Sequence, residues 1–253
     1  MSHWIYAEMN ECFGFTLDQY IYYGGYPGAA SLIDDEDRYQ QYIQSGIVDA
    51  TINKDILMDT PISKPALLRQ TFELGAAYSG QLLSLNKMLG SLQDAGNTST
   101  LAGYIHLLDE SGLLCGLHKY SIDAARRKAS IPKLQVYNNA LKMIYSPFTF
   151  DGAIANRQAW GHIFESSVGA YLVSQAFVHR FEVFYWRERT DEVDFILRKK
   201  GSIVAIEIKS NAEKQTKGLE SFKNLFSPQA AFIVGDGGIS AEEFLTMDLR
   251  KLF

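Results

Sequence analysis

Four charged residues alternate with apolar ones in two neighbouring runs: Glu192 and Asp194 in Asp191-Glu192-Val193-Asp194-Phe195-Ile196-Leu197, and Glu207 and Lys209 in Ser202-Ile203-Val204-Ala205-Ile206-Glu207-Ile208-Lys209. Alternation with period two reads as strands, and the turn Lys200-Gly201 between the runs makes them a hairpin. A two-residue loop places Lys199 opposite Ser202, and the same register sets Asp194 opposite Glu207 and Glu192 opposite Lys209. All four charges then share one face. Val193, Phe195, Leu197, Val204, Ile206 and Ile208 fill the other face, whose burial enforces the register, because a slip of one residue would drive the charges into the core.

Two carboxylates set directly across a hairpin repel, at a cost of up to about 1 kcal/mol. A divalent cation between them removes that cost, and oxygen ligands on adjacent strands suit Mg²⁺ or Mn²⁺, which keep several waters for chemistry. Lys209, two residues beyond Glu207, is placed to hold an attacking water or to offset charge on a pentavalent phosphorus. Glu165, within Phe164-Glu165-Ser166 on the preceding helix, is placed to supply another ligand or to hold a metal-bound water. The expected catalytic set is therefore Glu165, Asp194, Glu207 and Lys209, with Asp194 and Glu207 as metal ligands and phosphodiester hydrolysis as the chemistry. The competing reading is a solvated sheet face with a Glu192–Lys209 pair and no metal. A bare D-x12-E-x-K spacing arises often by chance; its setting between a helix and a helix–strand unit is what argues for a built architecture.

The elements that must carry these residues are an amphipathic helix over 157–178, strands at 181–187, 192–199 and 202–209, a helix near 217–226, a strand at 230–235 and a short helix from Ser240. Upstream, Lys64 to Tyr78, Ser84 to Leu92 and a stretch from Asn97 or Thr98 to Ser111 read as three helices, the last stopped by Gly112. Strands at 113–120 and 133–137 follow, around the basic loop Arg126-Arg127-Lys128. Three helices and a strand–loop–strand is the order of a winged helix-turn-helix, with the third helix for recognition and the loop as wing. Asn97, Ser99, Thr100, Tyr104 and His106 are then placed to reach base edges or phosphates, and His118, Lys119, Arg126, Arg127, Lys128 and Lys133 to contact the backbone. Winged helices also serve as protein-interaction modules, so DNA contact carries a specific signature to test, a steep salt dependence.

Residues 1–60 read as short helices broken at Tyr22-Tyr23-Gly24-Gly25-Tyr26-Pro27-Gly28, with a second helix from about Glu36 to Lys54. The expected division is a helical segment over 1–60, a winged-helix domain over 61–145 and an α/β (α+β) domain over 146–253. A net charge of −5 excludes a strongly basic nucleic-acid-coating protein, though not a local basic groove. No apolar run is long enough to span a membrane and no export signal opens the chain. Cys12 and Cys115 stand alone, which speaks against a disulfide or zinc framework and fits a cytoplasmic location. His3, His106, His118, His162 and His179 lack metal-ligand spacing, although His162 and Glu165 lie one helical turn apart. Trp186 is expected in the core, and Arg187 and Arg189 either bind phosphate or form an ordinary polar edge.

Several of these segments, taken in order, carry a family resemblance. Tyr23-Gly24-Gly25-Tyr26-Pro27-Gly28 resembles the GGxP element of the lid that follows the core of a widespread prokaryotic AAA-type ATPase family. Asn53-Lys54-Asp55-Ile56 is similar to the opening of that family's next, uncharacterised domain, and Gly96-Asn97-Thr98-Ser99-Thr100-Leu101 with Tyr104 to its recognition helix. Tyr185-Trp186-Arg187, Glu192-Val193-Asp194-Phe195 and Ala205-Ile206-Glu207-Ile208-Lys209-Ser210 resemble its carboxy-terminal end, which implies a PD-(D/E)XK restriction-endonuclease-like fold after the winged helix. The resemblance implies association with DNA, or with the ATPase module or another protein. No G-x-x-x-x-G-K-[ST] is present, so no ATP site is expected, and the chain is either a carboxy-terminal piece of a longer ATPase or a stand-alone remnant. Many relatives carry Asp where this chain has Asn138.

Overall fold

The computed structural model describes residues 3–94, 96–123, 130–210 and 217–253. It is an α+β molecule, 54% helical and 17% strand, and among its described residues no helix is long and apolar enough to cross a membrane.

The chain begins with α1 (Tyr6–Phe13) and α2 (Leu17–Tyr23). Thr16 starts α2 through a reciprocal cap: its hydroxyl accepts from Gln19 N–H at 3.2 Å, and Gln19 Oε1 accepts from Thr16 N–H at 2.9 Å. Gly24 ends the helix at φ +69°, where a Cβ would lie 1.9 Å from Asn138 Oδ1, so only glycine fits. Pro27 opens a tight turn, and α3 (Glu36–Gln41) follows, capped by Asp35. From Tyr42 to Ile56 the helix widens, with bonds such as Leu57 N–H to Ile52 O at 3.0 Å.

Next come α4 (Pro65–Ala77), α5 (Leu85–Ser91) and α6 (Thr98–Glu110), then β1 (Leu114–Leu117) and β2 (Lys133–Val136). Asn97 is the residue that caps α6, accepting from Thr100 N–H at 2.9 Å. β1 and β2 pair antiparallel from Leu114↔Val136 to Leu117↔Lys133. The strand expected over 113–120 is shorter than its apolar pattern. After Leu117 the chain leaves β2 and joins the other sheet instead, with Tyr120 N–H donating to Tyr185 O and Tyr185 N–H to His118 O. The reason is packing: the Tyr120 ring lies edge-on to Phe184, Phe222 and Phe226. The basic loop Arg126-Arg127-Lys128 lies outside the described residues.

The remainder is α7 (Ala140–Met143), α8 (Phe150–Ala155), α9 (Arg157–His179), β3 (Glu182–Glu188), β4 (Asp191–Lys199), β5 (Ser202–Lys209), α10 (Lys217–Phe226), β6 (Ala230–Gly235) and α11 (Ala241–Thr246). The sheet order is β3-β4-β5-β6, antiparallel through β5 and parallel at β6. Helix α9 covers one face, where Val168 and Leu172 share a core with Phe195, Leu197, Val204, Ile206 and Ile208. Helix α10 covers the other, where Leu219 and Phe222 pack with Trp186, Val193, Ile196 and Ala205. Each such fully buried Phe or Leu contributes about 1.5–3 kcal/mol. Trp186 is core, as expected.

This arrangement corrects the expected hairpin in two respects. The register holds from Lys199↔Ser202 to Phe195↔Ile206. Against β3, however, the pairing steps from Phe184↔Ile196 to Trp186↔Val193, so Asp194 and Phe195 together oppose Tyr185 in a β-bulge. Val193 therefore lies in the core on the opposite face from Phe195 rather than beside it. The competing reading of a solvated sheet face does not describe this side either, because α10 packs on Trp186, Val193, Ile196 and Ala205 there.

Candidate functional site

The bulge decides where Asp194 points. The β4–β5 ladder ends at Phe195↔Ile206, and beyond it the Asp194 carboxylate fills the opening, accepting from Ile208 N–H at 2.7 Å. Its other oxygen, Oδ1, lies 3.7 Å from Lys133 Nζ. Lys133 comes from β2, is 1% exposed, and bonds Glu165 Oε1 at 2.6 Å and the Asp194 carbonyl at 3.3 Å. Its ammonium also lies 4.6 Å from the centre of the Phe195 ring. Lys133, expected on the DNA-facing side of the wing, is thus the buried cation of the acidic cluster. The available signal in its sequence neighbourhood was a lysine flanked by apolar residues within a short strand.

Helix α9 can approach this closely because residue 169 is glycine: a Cβ there would lie 2.1 Å from Gln135 Oε1 and 2.8 Å from Phe195 Cζ. That approach lets Gln135 donate to the Ser166 carbonyl at 2.9 Å and sets Glu165 over the sheet.

The electrostatics follow from the crowding. Burial raises the Asp194 carboxyl, and Glu165 raises it further, against the opposing pull of Lys133. Burial likewise raises Glu207, with Asp194 adding to the shift and Lys209 opposing it. Lys133 is lowered by burial, but Glu165 and Asp194 outweigh this and hold it charged. Glu192 is the direct cross-strand neighbour of Arg187 and pairs with it at 3.9 Å. Lys209 is buried at the end of β5, close enough to Glu207 to favour its charged form.

A cleft of about 650 Å³ reaches this cluster at Glu165. Glu165 and Ile208 line it together with Arg157, Gln158, Trp160 and His162 from the first turns of α9. His162 and Glu165, one helical turn apart, both face this space. Arg157 and Gln158 were not singled out from sequence, since an Arg and a Gln at a helix start look like ordinary surface.

A divalent cation fits the donor set. Glu207 Oε2 is buried without a hydrogen-bond partner, and burial first and neighbouring carboxylates second raise both carboxyls, which a bound cation would offset. Among the described residues no three His, Cys, Asp or Glu side chains gather as a ready-made metal cage, so a cation at Asp194 and Glu207 would keep most of its ligands as water.

The residues expected to read nucleic acid are dispersed differently. Asn97 and Thr100 bond one another at the start of α6, and Thr100 Oγ1 donates to Asn97 Oδ1 at 3.2 Å. Ser99 and His106 are exposed, His106 lying 3.6 Å from Glu110. Tyr104 is buried, its hydroxyl without a hydrogen-bond partner. Lys119 is 3.3 Å from Glu188.

The Asn138 departure falls away from the acidic cluster. Its Oδ1 accepts from Gly25 N–H and Ala140 N–H, each at 3.2 Å, fastening the Gly24–Gly25 turn to the start of α7. An aspartate would offer the same acceptor.

Comparison with known families gives two matches. The family described as Domain of unknown function (DUF8612) matches residues 14–149, more than half of the chain. The family described as Domain of unknown function (DUF4143) matches residues 160–243, which include Glu165, Asp194, Glu207 and Lys209. No curated protein and no solved structure matches.

Proposed function

The chain belongs to the family described as Domain of unknown function (DUF8612), and from that premise we propose that it is a DNA-associated, nuclease-like module that works beside an AAA-type ATPase. DUF4143 is a domain found in AAA-ATPase-associated proteins, which supports the ATPase link. In this reading residues 61–145 form a winged helix and residues 146–253 a PD-(D/E)XK restriction-endonuclease-like domain. The observation that carries it is Glu165, tied by Lys133 to Asp194 and lining a cleft large enough for a phosphodiester together with Arg157 and His162.

Asp194 and Glu207 would hold Mg²⁺ or Mn²⁺, which supplies Lewis-acid stabilisation of a developing phosphorane and a more acidic water. Glu165 orients water at the floor of the cleft, kept in place by Lys133. Lys209 offsets charge next to Glu207, and Arg157 holds a phosphate oxygen at the mouth.

The second reading is a catalytically silent module that binds or regulates the ATPase or another protein. Lys133 favours it, because a tethered ammonium already meets part of the cation demand of Glu165 and Asp194. Calorimetry with Mn²⁺ separates the two. The nuclease reading expects binding in the micromolar to millimolar range that Asp194→Ala abolishes, together with nicking of DNA at millimolar Mn²⁺. Neither binding nor nicking would leave the silent module.

A further inference from the structure

Lys142, on α7, has no task in the site above. It is 8% exposed, and its Nζ donates to two neutral acceptors, the carbonyls of Ser79 at 2.9 Å and His162 at 3.3 Å. Among the described residues it forms no ion pair. A buried ammonium without a counter-charge is costly unless something compensates it. Burial lowers the Lys142 pKa to about 8, with Glu165 opposing the drop and the Lys133 charge adding to it.

Lys142 lines a cavity of about 150 Å³ whose other walls include Met143, Tyr145, Phe148, Ala159 and Ile163. An apolar cavity of roughly this volume, ~150 Å³, takes up a benzene-sized molecule. Here the cavity is partly open and Lys142 is set among mainly apolar walls, with Gln81, Ser146 and His162 as the other polar lining. Inorganic phosphate would leave most of its oxygens against hydrocarbon, whereas an apolar body ending in one carboxylate satisfies both parts.

We propose that this cavity binds a small monocarboxylate with an apolar body of about benzoate size, its carboxylate paired with Lys142 and its ring against Met143, Phe148 and Ile163. The proposal does not depend on the nuclease reading. His162 borders both this cavity and the larger cleft, so the bound acid lies beside the entrance to the acidic cluster.

The test is calorimetric titration of the full chain with sodium benzoate, benzyl alcohol and inorganic phosphate. Benzoate should bind with a dissociation constant of about 1 mM or tighter, as a ligand of its size allows. Benzyl alcohol should bind at least about tenfold weaker, since it forgoes one charge-assisted hydrogen bond, and phosphate not at all. Lys142→Met should remove the preference for benzoate over benzyl alcohol. Should that variant not fold, Ala159→Leu fills the cavity while leaving Lys142 and its two carbonyl bonds in place, and it should abolish benzoate binding. Equal affinity for benzoate and benzyl alcohol, no benzoate binding, or benzoate binding that survives Ala159→Leu would each overturn the proposal.

Discussion

Lys133 Nζ lies 2.6 Å from Glu165 Oε1, so the segment matched by one family places its cation inside the carboxylate cluster of the other. Removing one member of a buried pair strands the other, at about 3–5 kcal/mol. Glu165 keeps 21% of its side chain exposed, so Lys133→Met should fall toward the lower end of that range. Lys133→Met with Glu165→Gln should recover part of the loss, since the stranded charge is gone. Urea midpoints of the two variants check this; equal destabilisation would show that packing, not the ion pair, dominates at Lys133. Mn²⁺ should also bind more tightly to Lys133→Met, because the ammonium no longer competes for Asp194.

Asp194 and Glu207 make stability pH-dependent in a direction opposite to that of ordinary salt-bridged carboxylates. Their folded pKa values are raised to about 7 and about 8, from ordinary values of 3.8 and 4.5. Between these limits the native state binds more protons than the unfolded chain, so their contribution is full in acid and is lost as pH rises toward 8. Glu207→Gln should therefore be less stable relative to wild type at pH 5 than at pH 8. Taking the difference between variant and wild type cancels the opposite trend from His3, whose pKa burial lowers to about 4. Urea titrations at the two pH values, run without divalent ions, measure it, and saturating Mn²⁺ should flatten the wild-type profile.

The hairpin was legible in sequence because its determinants are local: alternation, Lys200-Gly201 and an apolar set that tolerates one register from Lys199↔Ser202 to Phe195↔Ile206. The helix starts at Ser84 and Asn97 were legible for the same reason, each cap reaching only three residues ahead. The bulge at Asp194–Phe195 was not, since it depends on how Tyr185 meets β4 from another strand. Nor was the split of the 113–120 strand, which is drawn away by aromatic rings more than sixty residues later. Lys133 shows the limit most clearly. Its type and charge suit a DNA-binding wing, yet its partner is 32 residues away on α9 and becomes visible only once Gly169 lets that helix close on β2.

The winged-helix reading is best tested at Arg126, Arg127 and Lys128. Asn97 is a poor choice because its side chain caps α6, and losing a cap costs about 1 kcal/mol whether or not DNA is bound. Neutralising the three basic residues should weaken duplex binding and reduce the slope of log K against log salt by about 0.9 for each phosphate that is no longer neutralised. Fluorescence anisotropy over a salt series reads both. Unchanged affinity and slope would assign this unit to protein contacts.

Asn138 separates a structural from an electrostatic role at one position. Asn138→Ala leaves Gly25 N–H and Ala140 N–H without their shared acceptor, and each unsatisfied buried donor costs about 1–3 kcal/mol. Asn138→Asp keeps that acceptor and exchanges the amide that lies 3.3 Å from His3 Nδ1 for a carboxylate oxygen. A neighbouring anion favours the charged imidazole, so the His3 pKa should rise from about 4. In the wild type, stability linked to His3 is present above the unfolded value of 6.5 and is lost as pH falls toward 4; the Asp variant should lose less over that window. Histidine chemical shifts followed by NMR between pH 4 and 8 give the pKa directly. A His3 value unmoved by Asn138→Asp would show that the carboxylate is protonated or turned away from the ring, leaving the Gly25 and Ala140 hydrogen bonds as the position's whole contribution.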